Sequence, residues 1–311
     1  MLQVDGGTST YYYVLDQAGT QVKYQHLNKP VVLDPGKYQV KINNTFHAVM
    51  VTEGHLAKCL SGTLMVSGQT ADNYYVTDST GQTIANEKLG RSLSVFPGKF
   101  KIKVNDTELP VAVKANEMTE IRTGSLVAQG MTGEHFYVLD AAKQQLNFSP
   151  LGKPLAFLPG SYEVRVNNTS RTAEVFAGRT TRLGTGSLVV NGLTDELYYV
   201  ADTLGHALNF QKLNNPVAVF PGAYSVQLNN TRITGEVTAG QITEFTTGCL
   251  TLTGPGDDYY YVFDDTGKPL KHSSLNRWLS FFPSDYTVKL GASMRKATII
   301  AGKQTSLEGF H

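Results

Sequence analysis

Cysteine is scarce in this sequence, which has 2 cysteines among 311 residues. Cys59 and Cys249 lie far apart, and neither belongs to a Cys/His motif of metal-site spacing, so the sequence predicts no disulfide framework and no cysteine-based metal site. Long hydrophobic runs are lacking too. No stretch of about 18 apolar residues occurs, and the sequence therefore predicts no membrane-spanning helix.

An excess of charge of either sign is also lacking, with 27 Lys and Arg against 26 Asp and Glu. A nucleic-acid partner is not predicted, because nucleic-acid-binding domains carry clustered positive charge. The segment Met1 to Gly7 has neither the basic nor the apolar region of a signal peptide. The protein is therefore either cytosolic or trimmed before Met1. We favour trimming, because Met1 falls at the first position of a repeat.

Catalytic groups do not recur. The histidines occupy unrelated positions of the repeat described below, and no Ser-His-Asp set, carboxylate pair or glycine-rich phosphate loop stands out. We therefore expect no enzymatic activity, no catalytic residue, no cofactor and no metal.

What the sequence does have is repetition, in steps of 62 residues. The motif Tyr/Phe-Tyr-Val-x-Asp ends at Asp16, Asp78, Asp140, Asp202 and Asp264. Pro-Gly-x-Tyr begins at Pro35, Pro97, Pro159, Pro221 and Pro283, with Phe100 and Ser284 as the two replacements. Asn-Asn-Thr (Asn-Asp-Thr once) begins at Asn43, Asn105, Asn167 and Asn229, and its fifth counterpart is Gly291-Ala292-Ser293. The motifs predict five units, at 1–62, 63–124, 125–186, 187–248 and 249–311.

Each unit has the pattern of a β domain. Tyr162, Val164 and Val166 alternate with Glu163 and Arg165, and all five units repeat this period of two, which is typical of half-buried strands. Pro-Gly predicts a type II turn with glycine at positive φ. Asn-Asn predicts a tight hairpin, and a third hairpin is predicted at Gly54, Asn116, Gly178, Gly240 and Gly302. Six or seven short strands between such turns indicate a small antiparallel β-sandwich.

Size indicates how the units associate. A domain of about 60 residues is marginally stable alone, and Thr123-Gly124-Ser125 passes from one unit into the next without a linker. We expect neighbours to stiffen one another in an extended array. The array would be on the order of 100 Å long, given about 17–20 Å per strand. A five-bladed β-propeller is the alternative, disfavoured because a blade has four strands.

The string Pro159-Gly-Ser-Tyr-Glu-Val-Arg-Val-Asn-Asn-Thr169, followed by Val175-Phe-Ala-Gly-Arg-Thr-Thr181, resembles the small PEGA-like or prealbumin-like (Ig-like) β-sandwich modules of bacterial envelope proteins. The likeness covers about half of each unit and recurs in all five. Such modules are usually non-catalytic parts of the periplasm or cell surface. The resemblance therefore implies an extracytoplasmic location.

Two recurring polar residues have structural interpretations. The Asp that ends Tyr-Val-x-Asp is predicted to cap the backbone of a turn, because a calcium ion needs six to eight oxygen ligands and the loop offers one fixed carboxylate. The Tyr after Pro-Gly is predicted to be a core residue whose hydroxyl bonds nearby backbone, as in tyrosine corners.

The cysteines differ in their predicted surroundings. Cys59 shares its repeat position with Ile121, Leu183 and other apolar residues, so it is predicted to be buried. Cys249 shares its position with Thr63, Ser125 and Ser187, so it is predicted to be the more exposed of the two.

One set of aromatic residues is a candidate contact surface. Tyr24, Asn86, Phe148, Phe210 and His272 share a repeat position outside the core alternation, and Trp278 stands where other units mostly have Pro. Aromatic side chains at variable positions are typical of binding surfaces. We expect Tyr24, Phe148, Phe210, His272 and Trp278 either to contact a ligand or to fill gaps between units, and the sequence leaves both open.

The functional expectation is a non-catalytic array. It would act as a structural spacer or as a protein-interaction or adhesion scaffold, with other proteins or surface glycans as partners. The alternative is a multivalent, lectin-like carbohydrate-binding protein.

Stability offers a test of contact between units. If neighbours complete each other's cores, a single unit such as Ser125 to Gly186 should unfold at lower denaturant than a pair, and a pair at lower denaturant than three. Urea titrations of one-, two- and three-unit proteins measure the midpoints. Equal midpoints would mean that the units are independent.

Overall fold

The computed structural model describes residues 1–308, and every regular element in that range is a β-strand. No helix capable of crossing a membrane occurs among those residues. The five units are numbered 1 to 5 along the chain.

Unit 1 contains β1 (Leu2–Asp5), β2 (Tyr11–Leu15), β3 (Gln21–His26), β4 (Gly36–Ile42), β5 (Thr45–Val51) and β6 (Ala57–Leu60). Unit 2 contains β7 (Gly62–Ser67), β8 (Asn73–Thr77), β9 (Thr83–Lys88), β10 (Ser92–Val95), β11 (Gly98–Val104), β12 (Thr107–Val113) and β13 (Met118–Arg122). Unit 3 contains β14 (Gly124–Gln129), β15 (His135–Leu139), β16 (Gln145–Pro150), β17 (Leu155–Phe157), β18 (Gly160–Val166), β19 (Thr169–Val175) and β20 (Thr180–Gly184).

Unit 4 contains β21 (Gly186–Asn191), β22 (Leu197–Ala201), β23 (Ala207–Lys212), β24 (Val217–Val219), β25 (Gly222–Leu228), β26 (Thr231–Val237) and β27 (Ile242–Thr246). Unit 5 contains β28 (Gly248–Leu252), β29 (Tyr259–Phe263), β30 (Pro269–Ser274), β31 (Leu279–Phe281), β32 (Ser284–Leu290), β33 (Ser293–Ile299) and β34 (Gln304–Leu307).

Two sheets form each unit, as unit 3 shows. One sheet has the strand order β17-β14-β20 and the other β16-β15-β18-β19. All pairs are antiparallel except that of the first and last strands, β14 and β20, which run parallel. Units 2, 4 and 5 repeat this order, whereas unit 1 has only β1 and β6 in its smaller sheet. The expectation of tandem β-sandwiches is confirmed. The propeller alternative is wrong, since a blade is a single four-stranded sheet. The limits of the units stay a prediction.

The core lies between the two sheets. In unit 3 it includes Leu126 and Ala128 from the smaller sheet and Phe136, Val138 and Val164 from the larger, all fully buried. Alternate residues of each strand face inwards, because successive side chains of a strand point to opposite faces. The predicted period of two therefore identifies the core positions.

The tyrosine after Pro-Gly forms the predicted tyrosine corner, in which its hydroxyl bonds nearby backbone. Tyr162 and Tyr224 are buried, and the Tyr162 hydroxyl donates to the carbonyl O of Leu158 at 2.6 Å. Tyr286 makes the equivalent bond to Phe282 O at 2.6 Å, and Tyr38 to Asp34 O at 3.0 Å. Burial raises the pKa of Tyr286 to about 12. The interpretation as a core tyrosine is confirmed.

Pro-Gly does not form the predicted turn. Gly36, Gly98, Gly160 and Gly222 begin strands and do not have positive φ. The type II turn is therefore wrong. A Cβ on Gly98 would lie 3.0 Å from the ring of Phe100, but a Cβ on Gly36, Gly160 or Gly222 would be in ordinary contact with the corner tyrosine, and unit 5 has Ser284 here.

The third predicted hairpin is a crossing between sheets. Gly178 has a φ of 69°, as a tight turn requires, and its four counterparts also have positive φ. The flanking strands β19 and β20, however, belong to different sheets. The turn was predicted correctly and the hairpin was not, since a local turn signal does not specify the sheet that the next strand joins. The Asn-Asn hairpin is confirmed, with Asn167 and Asn168 at φ 45° and 60°.

Successive units share a junction of one buried residue. Thr123 lies between β13 and β14, and its N–H donates back to Ser67 O of unit 2 at 2.9 Å. Its carbonyl accepts from Gly178 N of unit 3 at 2.8 Å. Thr185 and Thr247 are buried and bonded in the same way. Because the backbone of the junction is bonded to both units, it cannot act as a flexible linker.

Both cysteines are buried and unpaired. Cys59 lies in the core of unit 1 as predicted. The prediction that Cys249 is exposed is wrong, since it is 1% exposed. Cys249 lies on β28, the central strand of the smaller sheet of unit 5, where both side-chain faces are covered. Its counterpart Ser125 is buried too. The polar residues at this position therefore do not indicate that the position is exposed.

We expect both thiols to resist alkylation at pH 7 in the native protein. The thiolate is the reactive form, and burial raises the pKa of Cys59 to about 11 and raises that of Cys249 above its ordinary value. Mass spectrometry after timed exposure to iodoacetamide measures the modified fraction, with the urea-unfolded protein as the fully reactive control. Native Cys249 reacting as fast as the unfolded control, or an intrachain Cys59–Cys249 disulfide, would contradict the structure.

Candidate interaction surface

In units 1 to 4 the turn that begins with Asn43, Asn105, Asn167 or Asn229 contacts the next unit. Asn167 Nδ2 donates to the carbonyl O of Ala218 in unit 4 at 3.0 Å. The N–H of Phe220 donates to Thr169 Oγ1 at 3.1 Å. The other joints repeat the amide bond, from Asn43 to Ser94 O at 2.7 Å, from Asn105 to Ala156 O at 2.9 Å and from Asn229 to Ser280 O at 3.0 Å. The turn therefore makes contacts between units as well as reversing the chain.

A carboxylate completes three of the four joints. Glu134 Oε2 accepts from Ala218 N at 2.6 Å, and Asn167 Nδ2 also donates to Glu134 Oε1. The equivalent bonds join Asp72 to Ala156 N at 2.8 Å and Glu196 to Ser280 N at 2.6 Å. The first joint has Thr10 at this position. There the hydroxyls of Thr8 and Ser94 lie 2.9 Å apart instead.

These bonds cover the edge of a sheet. Ala218 lies in β24, an edge strand of the smaller sheet of unit 4, where an N–H and a C=O have no strand partner. Side chains of unit 3 pair with both groups. In unit 1 the same segment forms only the bridge Leu2–Val31, and Val32 is 74% exposed. In units 2 to 5 the segment is a strand, and the preceding unit contacts it.

Apolar side chains also cross the joints, and at three of the four the side chain is an aromatic ring. Phe96 of unit 2 packs in the core cluster of unit 1, Phe220 of unit 4 in that of unit 3, and Phe282 of unit 5 in that of unit 4. All three rings are buried. The residue at this position of unit 1 is Asp34, which is exposed. Neighbouring units therefore complete each other's cores.

The outer face of the larger sheet carries a tyrosine in every unit: Tyr13, Tyr75, Tyr137, Tyr199 and Tyr261. In unit 3, Tyr137 pairs across the sheet with Phe148 on one side and Arg165 on the other. The Tyr137 and Phe148 ring centroids are 5.7 Å apart, and the Arg165 guanidinium lies 5.7 Å from the Tyr137 centroid. Aromatic and cationic side chains thus form a row on the outside of the sandwich, which we call the outer row.

Four of the five predicted aromatic residues belong to this row. Tyr24, Phe148 and Phe210 are each more than half exposed, and His272 is exposed. Each pairs with the outer tyrosine of its own unit, as Phe210 does with Tyr199 at a centroid distance of 5.9 Å. Trp278 lies apart from the row, exposed between β30 and β31. Whether these side chains bind a ligand or contact another unit stays a prediction.

The outer tyrosine itself was missed by the sequence analysis. It is the second residue of Tyr/Phe-Tyr-Val, next to a first residue such as Tyr198 that is fully buried and bonded to Asn215 O at 2.6 Å. Since successive residues of a strand face opposite sides, the second tyrosine must face outwards. A large aromatic residue repeated five times at an outward position is the signal that identifies this surface.

A cleft lies beside the joint, next to the outer tyrosine. Between units 4 and 5 it has a volume of about 300 Å³ and is lined by Glu196, Leu197, Tyr199, Gln227, Asn229 and Asn230 of unit 4 and by Lys271 of unit 5. Between units 1 and 2 the equivalent cleft has a volume of about 500 Å³, and its lining includes Tyr11, Tyr13, Lys41, Asn43 and Asn44 of unit 1 and Asn86 of unit 2. The position shared by Tyr24 and Asn86 therefore borders the preceding unit in at least this joint.

The recurring Asp caps a turn, as predicted. Asp78 Oδ1 accepts from the backbone N–H groups of Thr80 and Gln82, both at 2.9 Å. The other four units make the same pair of bonds. The hydrogen bond from the Thr80 hydroxyl lowers the pKa of Asp78. Within residues 1–308, no three His, Cys, Asp or Glu side chains lie close enough to hold a metal ion.

Comparison with known proteins gives no family. No family model and no curated protein matches the chain. The Bacillus anthracis TIE protein aligns over 89% of this chain and 71% of its own, with 11% identity and a TM-score of 0.19. The pilus adhesin SpaC of Lactobacillus rhamnosus GG aligns over 88% and 43%, with 10% identity and a TM-score of 0.18. The four N-terminal Ig domains of Dscam1 isoform 9.44 align over 79% and 98%, with 10% identity and a TM-score of 0.12. With TM-scores this low, the description of the fold depends on the strand pairing alone.

The joint carboxylate can be tested by substitution. Glu196→Ala leaves the Ser280 N–H without its acceptor at 2.6 Å, and Asn229 loses one of its two partners. We expect a loss of about 1–3 kcal/mol in the free energy of unfolding, the cost of an unpaired group that is removed from water. Urea denaturation measures it, with the exposed neighbour substitution Asp195→Ala as the control. Equal midpoints for the two variants would mean that the carboxylate does not hold the joint.

Proposed function

We propose that the chain is a non-catalytic spacer and interaction array at a bacterial surface or in the periplasm. The observation that carries the proposal is the junction, at which one buried threonine such as Thr123 is bonded to the unit before and the unit after it. A chain of small domains without flexible linkers holds whatever it carries at a fixed distance. Relative motion of domains is otherwise the expectation for domains in tandem.

The joints support the same role. The amide bond recurs at all four joints, and a carboxylate and a shared aromatic ring each recur at three of them, for example with Asn167, Glu134 and Phe220. Because contacts of one type recur along the chain, each unit contacts its neighbours in the manner of quasi-linear repeat proteins. An enzyme has no need of such repetition, and the proposal includes no catalytic residue, metal or cofactor.

The proposal places the units among PEGA-like modules and the protein outside the cytoplasm. It takes its support from the turn motifs, such as Pro159-Gly160-Ser161-Tyr162, and from the β-sandwich that they form. Proteins or surface glycans would contact the outer row. Binding of glycans is favoured as a second function by the clefts at the joints.

Small-angle X-ray scattering of the whole chain tests the spacer. We expect the profile of a rod with a maximum dimension on the order of 100 Å, since each unit contributes about 17–20 Å. A matched variant carries a flexible Gly-Ser segment inserted between Thr185 and Gly186. Its profile should broaden towards that of two independent bodies, because the insertion separates the two bonds made by Thr185.

Two results would contradict the proposal. One is a compact, spherical profile for the unmodified chain. The other is an identical, broad profile for the chain and the insertion variant, which would mean that the junction is flexible before any insertion.

A further inference from the structure

The clefts between units lie against the joints, and Asn43 and Asn229, which bond the next unit, form part of their walls. Those at the first and last joints share one set of side chains, namely the outer tyrosine and two asparagines from one unit with a polar side chain from the next. Tyr199 is 47% exposed. The outer tyrosines face away from the core, with Tyr75, Tyr199 and Tyr261 exposed and Tyr13 and Tyr137 half-buried, so core packing does not account for a tyrosine at this position in every unit.

The asparagines are fixed at the wall of the cleft. Nδ2 of Asn229 donates to Ser280 O at 3.0 Å, and Nδ2 of Asn230 donates to Leu270 O at 2.7 Å. Asn229 Nδ2 also donates to Glu196 Oε1, which engages both of its N–H groups and leaves Oδ1 to accept hydrogen bonds. Asn230 offers Oδ1 as an acceptor and its second N–H as a donor. Gln227 and Lys271 add donors to the same cleft. The cleft thus combines a flat apolar ring with rigid acceptors and nearby donors.

We propose that these clefts bind the pyranose rings of a polysaccharide. The apolar face of a sugar stacks on the exposed tyrosine ring, and its hydroxyl groups donate to Asn Oδ1 and accept from Gln227 or Lys271. The volumes of about 300 and 500 Å³ are at the small end of those of ligand sites, which suits one or two sugar rings of a longer chain. Several shallow sites on a rigid chain add up to useful avidity when the ligand is itself a polymer.

The sugar sites rest on the glycan-binding part of the proposed function. The spacer and the sugar sites can be disproved independently of each other. A rod-shaped protein that binds no sugar would support the spacer and contradict the sugar sites. A flexible protein that binds sugar would contradict the spacer and support the sugar sites.

Unit 5 provides the matched control. Tyr261 is 46% exposed and occupies the same position of the outer row as Tyr199. Gly291 and Ala292, however, replace the two asparagines beside it. Tyr199→Ser and Tyr261→Ser therefore make the same change on the same kind of surface, with the asparagine pair beside only the first.

Affinity electrophoresis of the whole chain through gels containing dissolved polysaccharide measures binding. Dextran serves as the uncharged probe and polygalacturonate as the carboxylated one. We expect retardation by at least one of them. The combined variant Tyr13→Ser and Tyr199→Ser removes the ring from both clefts and should raise the dissociation constant at least about tenfold, as loss of a central aromatic contact does. Tyr261→Ser should leave it unchanged.

Which probe is bound identifies the polysaccharide. Retardation by polygalacturonate alone would indicate that lysines such as Lys41 and Lys271 bind the carboxylate groups of the polysaccharide. Retardation by dextran would indicate that the site recognises sugar hydroxyl groups. No retardation by either probe overturns the proposal. An equal loss of binding for Tyr261→Ser and Tyr199→Ser overturns the role of the cleft. Far-ultraviolet circular dichroism of each variant confirms that the fold is retained, which the exposure of Tyr199 and Tyr261 leads us to expect.

Discussion

The array depends on pairing of the backbone groups at one sheet edge. The short strand represented by β24 lies at the edge of the smaller sheet, where the N–H and C=O of Ala218 have no strand partner. An unpaired polar backbone group that is removed from water costs about as much as a lost hydrogen bond. Glu134 and Asn167 of the preceding unit supply the acceptor and the donor. The edge of one unit is thus completed by the turn of another, and this requirement sets how successive units dock.

The shared core follows from the same contact. Ala218 lies in β24 and Phe220 directly follows that strand. Both residues belong to unit 4 but pack in the core cluster of unit 3. Once the edge is docked, the ring of Phe220 is placed between units and loses its contact with water. A domain of about 60 residues is only marginally stable alone, because it buries a smaller fraction of its surface than a larger domain does. A side chain of the neighbouring unit that packs in the core adds buried apolar surface. This contact also couples the stability of each unit to that of the next.

Much of this architecture could be predicted from the sequence, because the signals are local and occur five times. The alternation Tyr162-Val164-Val166 predicts the strand and its buried face, and Asn167-Asn168 predicts the hairpin after it. What a strand pairs with is not local. The turn at Gly178 was therefore taken for a hairpin, and the burial of Cys249 on a central strand was missed. The docking role of Asn167 was missed for the same reason, since its partner Ala218 lies 51 residues away. The outer tyrosines needed no long-range knowledge, only attention to which face of the strand each residue of Tyr-Tyr-Val occupies.

The four joints share a plan but differ in their bonds, and the differences follow the sequence. The last joint has the carboxylate of Glu196 and also a hydroxyl pair, Thr194 and Ser280, 2.7 Å apart. The first joint has the hydroxyl pair but Thr10 in place of the carboxylate. Hydrogen bonds to a charged acceptor are stronger than those between neutral groups, at about 1.5–3 kcal/mol against about 1 kcal/mol. The joint between units 1 and 2 is therefore the one that lacks the carboxylate acceptor present at the other three.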